Sequence, residues 1–250
     1  MKTIGLITDF GNKDWYVAEM KLMIRSLCDV EIVDITHEID EFDIDKAKFL
    51  LLQANRIMPE HSVTIAVIDP GVGSDRKSIV LRSGNKYFIG PNNGIFDYIT
   101  DIKSECFQIK EETFSEVSNT FHGRDIFAPL ASKIICGENT DKYITPCECR
   151  GKGMKNPTVK DNLIIGQVIY IDKFGNAITN IDHTYYEDIK RGNIIFGEEK
   201  IEFVNSYSES SGRSAIFNSS GFLEITSYKG EYSENLKIGE VVQIEVRRHM

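Results

Sequence analysis

Acid–base side chains stand directly after two apolar, strand-like runs and directly before an apolar helical run. The first strand-like run ends in Asp9, the second ends in Asp69, and the pair His122-Gly123 precedes the helical run. In an open α/β sheet, ligands bind at the carboxyl ends of the strands, so these carboxylates occupy favourable positions. We therefore predict one polar site assembled from the three segments.

The chemistry that these residue types suit is activation of a water molecule by Asp69, Arg76 and His122. A fixed positive charge favours the hydroxide form, and a carboxylate or an imidazole takes the proton. Each residue also has a purely structural interpretation. Asp69 can complete an Asp-Pro-Gly turn, Arg76 can be a solvated charge, and His122 can be hydrogen-bonded scaffolding. The catalytic hypothesis requires all three around one small pocket.

Two carboxylates, Asp9 and Asp14, flank Gly11 after the first predicted strand. Carboxylates at such positions accept hydrogen bonds from ribose diols, and the absence of a Gly-rich phosphate loop favours a nucleoside without phosphates. In the second half, Asp172, Phe174 and Asn176 could address an ammonium group, a base face and a purine edge. The same segment is also a good hairpin turn, and both interpretations stay open.

The elements that position these residues change character near the middle of the chain. The first half alternates predicted strands (3–8, 30–35, 63–68, 78–82, 86–89) with predicted helices (16–26, 45–57, 94–100, 125–135). A Gly-, Lys- and Pro-rich stretch then leads into short predicted strands only (162–171, 177–181, 193–196, 200–204, 214–217, 222–226, 241–247). We predict a mostly parallel α/β domain over 1–153 and a smaller all-β barrel domain over 158–250.

Composition narrows the classes of function. The chain has 250 residues, 41% hydrophobic, and a net charge of −9, which argues against nucleic acid as a partner. No apolar run suits a membrane span and no secretory leader is visible, so we expect a cytoplasmic protein. Five cysteines without a regular framework fit a reducing compartment. Cys147 and Cys149 have no second pair at metal-site spacing, so we expect a surface loop with two thiols and no metal.

Six motifs occur in order along almost the whole chain. They are Thr8-Asp9-Phe10-Gly11, Asp69-Pro70-Gly71-Val72-Gly73, Pro91-Asn92-Asn93-Gly94, Phe121-His122-Gly123-Arg124-Asp125, Asp172-Lys173-Phe174-Gly175-Asn176 and Asn218-Ser219-Ser220-Gly221. Together they resemble the motifs of the S-adenosyl-L-methionine hydroxide adenosyltransferase family, whose relatives include the fluorinase and chlorinase enzymes. One segment, 226–231, departs from the small family stretch that cradles adenine, so Tyr228 or Lys229 would alter those contacts.

The resemblance implies an α/β domain, a β-barrel domain and a homotrimer with sites between subunits. It implies hydrolysis of S-adenosylmethionine to adenosine and L-methionine, without cofactor or metal. The implied catalytic set is Asp69, Arg76 and His122. The implied substrate contacts are Asp9 for the ribose diol, Phe174 and Asn176 for adenine, Asp14, Asp172 and Ser219 for the methionine end, and Phe42, Phe121 and Gly123 elsewhere on the substrate. The sulfonium is a good leaving group, so the reaction needs an in-line nucleophile at C5′ and a positioned base.

Three alternatives stay open. In a halide-using relative, the position of Asp69 would be aromatic and that of Gly123 a halide-binding serine. Here the Asp69 carboxylate would repel a halide, and Gly123 offers no hydroxyl. A sensor of S-adenosylmethionine or adenosine would bind without turnover. A metal-dependent phosphoesterase would need clustered ligands, whereas the Asp residues are scattered among separate turns.

Overall fold

The computed structural model describes residues 2–148, 151–210, 212–227 and 236–246. The chain divides into two compact units, Met1–Gly153 and Met154–Met250. Among the described residues, no helix has the length and apolarity needed to cross a membrane.

The first unit contains a seven-stranded sheet. Its strands are β1 (Thr3–Thr8), β2 (Glu31–Thr36), β3 (Val63–Val67), β4 (Ser78–Ser83), β5 (Lys86–Pro91), β6 (Glu105–Ile109) and β7 (Ile144–Cys147), in the order β2-β1-β3-β5-β4-β6-β7. Pairs β1–β2, β1–β3 and β3–β5 are parallel, whereas β4–β5, β4–β6 and β6–β7 are antiparallel. The predicted α/β class is therefore confirmed, but its mostly parallel character holds for only half of the sheet.

Helices cover both faces of this sheet. They are α1 (Tyr16–Leu27), α2 (Ile44–Ile57) and α3 (Ala128–Cys136). Helices α1 and α3 pack with Ile4 and Leu6 of β1 in one hydrophobic cluster, and α2 packs with Ile7 in another. This division follows from the alternation of side chains along a strand. All of β1 is buried, as expected for a central strand covered on both faces.

One predicted helix is wrong, whereas α2 begins close to its predicted start. The N-cap of α2 is Asp43, whose carboxylate accepts a hydrogen bond from the Lys46 amide at 2.9 Å. The predicted helix 94–100 is only a short 3₁₀ helix, Asp97–Ile99. Gly94 has a positive φ of 91°, and the Asn93 carboxamide accepts from the Ile95 amide, so the side chain stabilises a turn where a helix would begin.

The second unit is a closed barrel. Its strands are β8 (Thr158–Lys160), β9 (Leu163–Ile171), β10 (Ala177–Asp182), β11 (Asn193–Phe196), β12 (Glu199–Phe203), β13 (Arg213–Phe217), β14 (Phe222–Ser227) and β15 (Val241–Glu245), with a short helix α4 (Tyr186–Arg191). The order is β10-β14-β13-β12-β11-β15-β9-β8, and pairing of β9 with β10 closes seven strands into a ring. The predicted barrel is confirmed, and closure leaves no unpaired sheet edge within the described ring.

One covalent link was not foreseen by the sequence analysis. Cys28, directly after α1, forms a disulfide with Cys136, the last residue of α3, across a sequence separation of 108. This bond contradicts the expectation, drawn from the irregular cysteine pattern, that the cysteines are thiols of a reducing compartment. Nothing in the spacing indicates that α1 and α3 are neighbours. Cys147 lies in strand β7 rather than in the expected loop, and Cys149 lies outside the described residues.

Candidate active site

Asp9 and Asp69 leave the sheet at the same edge. Strands β1 and β3 are parallel neighbours, with Thr8 opposite Val67. Each carboxylate follows its strand within two residues, and the Asp9 amide donates to the Val67 carbonyl at 3.4 Å. The two parallel strands therefore bring both predicted carboxylates to one place, as inferred from the sequence.

The turn after β3 fixes the Asp69 carboxylate and directs the chain toward β4. Asp69 Oδ1 accepts from the Gly71 amide at 3.2 Å, and the Val72 amide donates to the Asp69 carbonyl at 3.3 Å. Gly73 adopts a φ of 76°, and a Cβ there would come within 2.6 Å of the Asn119 carbonyl oxygen. Both the conformation and the close approach require glycine at this position.

Asp69, Arg76 and His122 form one buried hydrogen-bonded group. Arg76 Nε donates to Asp69 Oδ1 at 2.9 Å, and Nη2 donates to both Asp69 Oδ2 and His122 Nδ1, the latter at 2.9 Å. Only 5% of the Asp69 side chain, 10% of the Arg76 side chain and 7% of the His122 side chain is exposed. The structure thus brings together the three residues predicted to act on water.

The protonation state of His122 follows from its partner. A guanidinium has only donors, so Nδ1 must accept from Arg76 and the ring hydrogen must lie on Nε2. Burial lowers the pKa of His122 below its ordinary value, and Arg76 lowers it further, whereas Glu111, Asp69 and Asp125 raise it. The imidazole is therefore neutral near pH 7 and presents Nε2–H as a donor.

A cavity of about 260 Å³ adjoins this group. Six predicted site residues line it: Asp9, Phe42, Asp69, Phe121, His122 and Gly123. The remaining lining residues are Phe10, Glu41, Val67, Val72 and Thr120. Asp14 is exposed and does not belong to the lining, so the described first unit does not unite it with the other predicted residues.

Asp9, which lines the cavity, is held by the backbone of Phe42. The Phe42 amide donates to Asp9 Oδ2 at 3.0 Å, and Phe42 itself has a φ of 65° and a 59% exposed side chain. Burial raises the pKa of Asp9, an effect that the Phe42 amide partly offsets. A left-handed conformation at a bulky residue is uncommon, and such conformations concentrate at functional sites.

His122 is positioned by a π-helical turn, Gly123–Phe127, that precedes α3. The Ala128 amide donates to the Gly123 carbonyl, an i→i+5 bond that marks the wide turn. A Cβ on Gly123 would lie 3.2 Å from Val67 Cγ2 and 3.3 Å from Met20 Sδ, so the residue is closely packed.

The second unit holds the other predicted substrate residues on two turns. In the β9–β10 turn, the Asp172 carboxylate accepts from the amides of Phe174 and Asn176 and from Asn176 Nδ2, at 2.8–3.0 Å. Phe174 is 63% exposed and Asn176 is buried. Exposed Ser219 lies on the β13–β14 turn. The hairpin that the sequence offered as the structural interpretation is present.

The two turns share an acidic neighbourhood around Glu224. This buried carboxylate accepts from Tyr207 Oη at 2.7 Å and from Asn218 Nδ2 at 3.2 Å. Burial raises the pKa of Glu224, and the charge of Asp172 raises it further. Glu224 therefore connects the Asn218 turn electrostatically with the Asp172 turn. Tyr228 and Lys229, expected to alter the adenine contacts, lie outside the described residues.

Sequence reasoning missed two residues of the first unit's site. The buried Ser78 hydroxyl accepts from Arg76 Nη1, and its place two residues after Arg76 at a strand start was a readable cue. Glu111 lies on a 3₁₀ helix far from Arg76 in sequence, with Oε1 3.6 Å from Arg76 Nη1 and Oε2 4.0 Å from His122 Nδ1. No sequence cue indicated Glu111. Within the described part of the chain, no cluster of three His, Cys, Asp or Glu side chains suits a metal ion.

Family models and curated relatives match most of the chain. The family model for the SAM hydroxide adenosyltransferase N-terminal domain matches residues 4–143, and that for the C-terminal domain matches residues 166–245. A curated (R)-S-adenosyl-L-methionine hydrolase from Methanocaldococcus jannaschii is 37% identical over 97% of this chain and 95% of its own length. A fluorinase from Nocardia brasiliensis is 27% identical over 76% of this chain and 74% of its own length.

Solved structures show the same fold. An uncharacterized conserved protein from Thermotoga maritima superposes with a TM-score of 0.84 at 31% identity, covering 96% of this chain and 99% of its own. A conserved hypothetical protein from Thermus thermophilus gives a TM-score of 0.79 at 26% identity, covering 98% of this chain and 100% of its own.

Proposed function

The chain belongs to the S-adenosyl-L-methionine hydroxide adenosyltransferase family and is an enzyme that hydrolyses S-adenosylmethionine to adenosine and L-methionine, and we propose that Asp69, Arg76 and His122 activate the water. The main support is the buried guanidinium of Arg76, which hydrogen-bonds Asp69 and His122 together beside a cavity. A molecule that only bound its ligand would not need this group.

In the proposed step, water attacks C5′ in line with the sulfonium. The C5′–O bond forms, the C5′–S bond breaks, and its electron pair neutralises sulfur to give the thioether of methionine. Since His122 Nδ1 already accepts from Arg76, its Nε2–H donates to the water oxygen, and Asp69 takes the proton. Holding the reactants in line contributes roughly 7–11 kcal/mol to lowering the barrier. No metal or cofactor takes part in this step.

We assign the remaining residues by the same proposal. Asp9 accepts hydrogen bonds from the ribose hydroxyls. Phe42, Phe121 and Gly123 contact the substrate within the same cavity. Asn176 and Phe174 address adenine, and Asp14, Asp172 and Ser219 address the methionine end. The sulfonium and ammonium charges suit these carboxylates.

The size of the cavity supports a site shared between subunits. Its volume of about 260 Å³ is below the 300–1,000 Å³ usual for small-molecule sites. We propose a cytoplasmic homotrimer in which the barrel domain of one subunit supplies Asp172, Phe174, Asn176 and Ser219 to the cavity of another. Sedimentation velocity tests the trimer, and mixing Asp69→Asn with Asn176→Ala subunits tests sharing, because a mixed trimer then regains intact sites.

The reaction is tested by incubating the purified protein with S-adenosylmethionine in ¹⁸O-labelled water. Adenosine with one ¹⁸O at its 5′ oxygen, formed equally with chloride or a chelator present, is the expected product. The curated relatives are named for the (R) epimer at sulfur, and we propose the same preference here, so both epimers are assayed separately. A halogenated nucleoside, or tight binding without product, would overturn the proposal in favour of a halide-using enzyme or a sensor.

A further inference from the structure

Glu111 contacts the water-activating group from outside the cavity. Arg76 presents Nε and Nη2 to Asp69, while Nη1 donates to the Ser78 hydroxyl and lies 3.6 Å from Glu111 Oε1. Glu111 Oε2 lies 4.0 Å from His122 Nδ1. Glu111 Oε1 is buried and accepts no hydrogen bond within the described residues. Like Arg76, Glu111 is not among the residues that line the cavity.

The charge balance of the group explains why a second carboxylate matters. At rest, Asp69 neutralises Arg76. If Asp69 takes the proton from water, that neutralising charge disappears while Arg76 stays almost fully buried. A buried guanidinium without a counter-ion is unfavourable, which would make a carboxylate paired only with Arg76 a poor proton acceptor. Glu111, close to the opposite nitrogen, supplies a charge that persists through the step.

We propose that Glu111 is a positioning residue of the active site, which serves as the second counter-ion of Arg76 and thereby enables Asp69 to accept the proton from water. This inference rests on the proposed function. Glu111 acts through Arg76 and does not touch substrate or water. It also offers the acceptor toward which Nδ1–H of His122 would turn if the ring became protonated.

The charge of Glu111 also has an effect that can be measured without substrate. The charged groups that face His122 are Asp69, Arg76, Glu111 and Asp125, and of the three acidic ones Glu111 raises the pKa of His122 most. Glu111→Gln removes this contribution while retaining the size and shape of the side chain. The His122 pKa should therefore fall further in that variant.

The experiment compares wild type, Glu111→Gln, Glu111→Asp and the control Glu112→Gln, which changes the exposed neighbour on the same 3₁₀ helix. Steady-state kinetics with S-adenosylmethionine and NMR titration of the His122 Hε1 resonance are recorded for each, with thermal unfolding as a check on folding. We expect kcat of Glu111→Gln to fall about ten- to a hundredfold with KM unchanged. Glu111→Asp should recover part of kcat, and Glu112→Gln should match wild type.

The outcomes separate this inference from the function itself. If wild type turns over substrate and Glu111→Gln has the same kcat, or differs only by a raised KM, the proposed role of Glu111 is overturned. The hydrolase function itself would still stand. If wild type turned over no substrate, the proposed function would fall, and the His122 titration would still decide whether Glu111 is coupled to the group. An unchanged His122 pKa in a folded Glu111→Gln variant refutes the coupling.

Discussion

Reduction of the Cys28–Cys136 disulfide should markedly destabilise the first unit. The bond closes a loop over a sequence separation of 108, and for a loop of about 100 residues the chain-entropy relation gives about 4.7 kcal/mol at 25 °C. For a domain of 150–250 residues, this corresponds to a fall in Tm of roughly 10–20 °C. Buried Cys28 and the final residue of α3 pack into the main core, so the link joins two elements that are already in contact.

The assay is thermal and urea unfolding by circular dichroism, with and without a phosphine reductant. The double variant Cys28→Ala/Cys136→Ala should resemble reduced wild type and should not respond to reductant. Cys147→Ala serves as the control, because Cys147 lies outside the disulfide, and it should retain the full response. Thiol titration shows whether Cys28 and Cys136 react only after reduction, which establishes that the disulfide was present and was broken. If wild type then unfolds identically with and without the reductant, the reasoning is refuted.

Three further outcomes follow from the site. Asp69→Asn should lower kcat by roughly 10²–10⁴-fold because the proton acceptor is lost, while calorimetry still detects substrate binding. The pKa of His122 is lowered in the folded protein, so the unfolded chain binds more protons just below pH 6.5. The free energy of unfolding of the wild type should therefore fall as the pH drops through that window. Urea titrations at several pH values should show a weaker pH dependence for His122→Asn. Gly123→Ser would crowd Val67 and should lower the free energy of unfolding by about 1–3 kcal/mol. Chromatography of its reaction products should show no halogenated nucleoside, because the Asp69 carboxylate still repels a halide.

Much of the fold was predictable because its elements obey local rules. The period-2 and period-3.6 patterns place β1, β3, α1 and α2 within a residue or two of their observed bounds. The error in sheet direction has a local cause that could have been read. Gly84-Asn85 is a two-residue link between β4 and β5, which is a typical hairpin connection and predicts an antiparallel pair. Strands β6, β7 and β8 were not predicted. In β7, Pro146 discourages a strand assignment, although proline is tolerated on an edge strand.

The site was predictable where the strand order or the family motifs indicate which residues meet. Asp9 and Asp69 meet because parallel neighbours end at one edge, which a strand prediction already implies. The approach of Glu111 to Arg76 depends on how the 3₁₀ helix after β6 packs, and no residue pattern encodes that distance. The disulfide is a similar case, since it requires the contact between α1 and α3. The positions of Asp172 and Ser219 on turns were predictable, whereas their buried neighbour Glu224 was not.

The π-helical turn that opens α3 makes the length of this segment as important as its composition. Such a turn has one more residue than an α-helical turn, and each residue rotates a helix by about 100°. Deletion of a single residue within Gly123–Phe127 would allow α3 to continue as a regular helix. It would rotate His122 away from Arg76, although Asp69, Arg76 and His122 would all remain in the sequence. In the gene, a three-base, in-frame deletion here should therefore abolish activity as fully as a frameshift, and in an alignment of active relatives this stretch should be free of gaps.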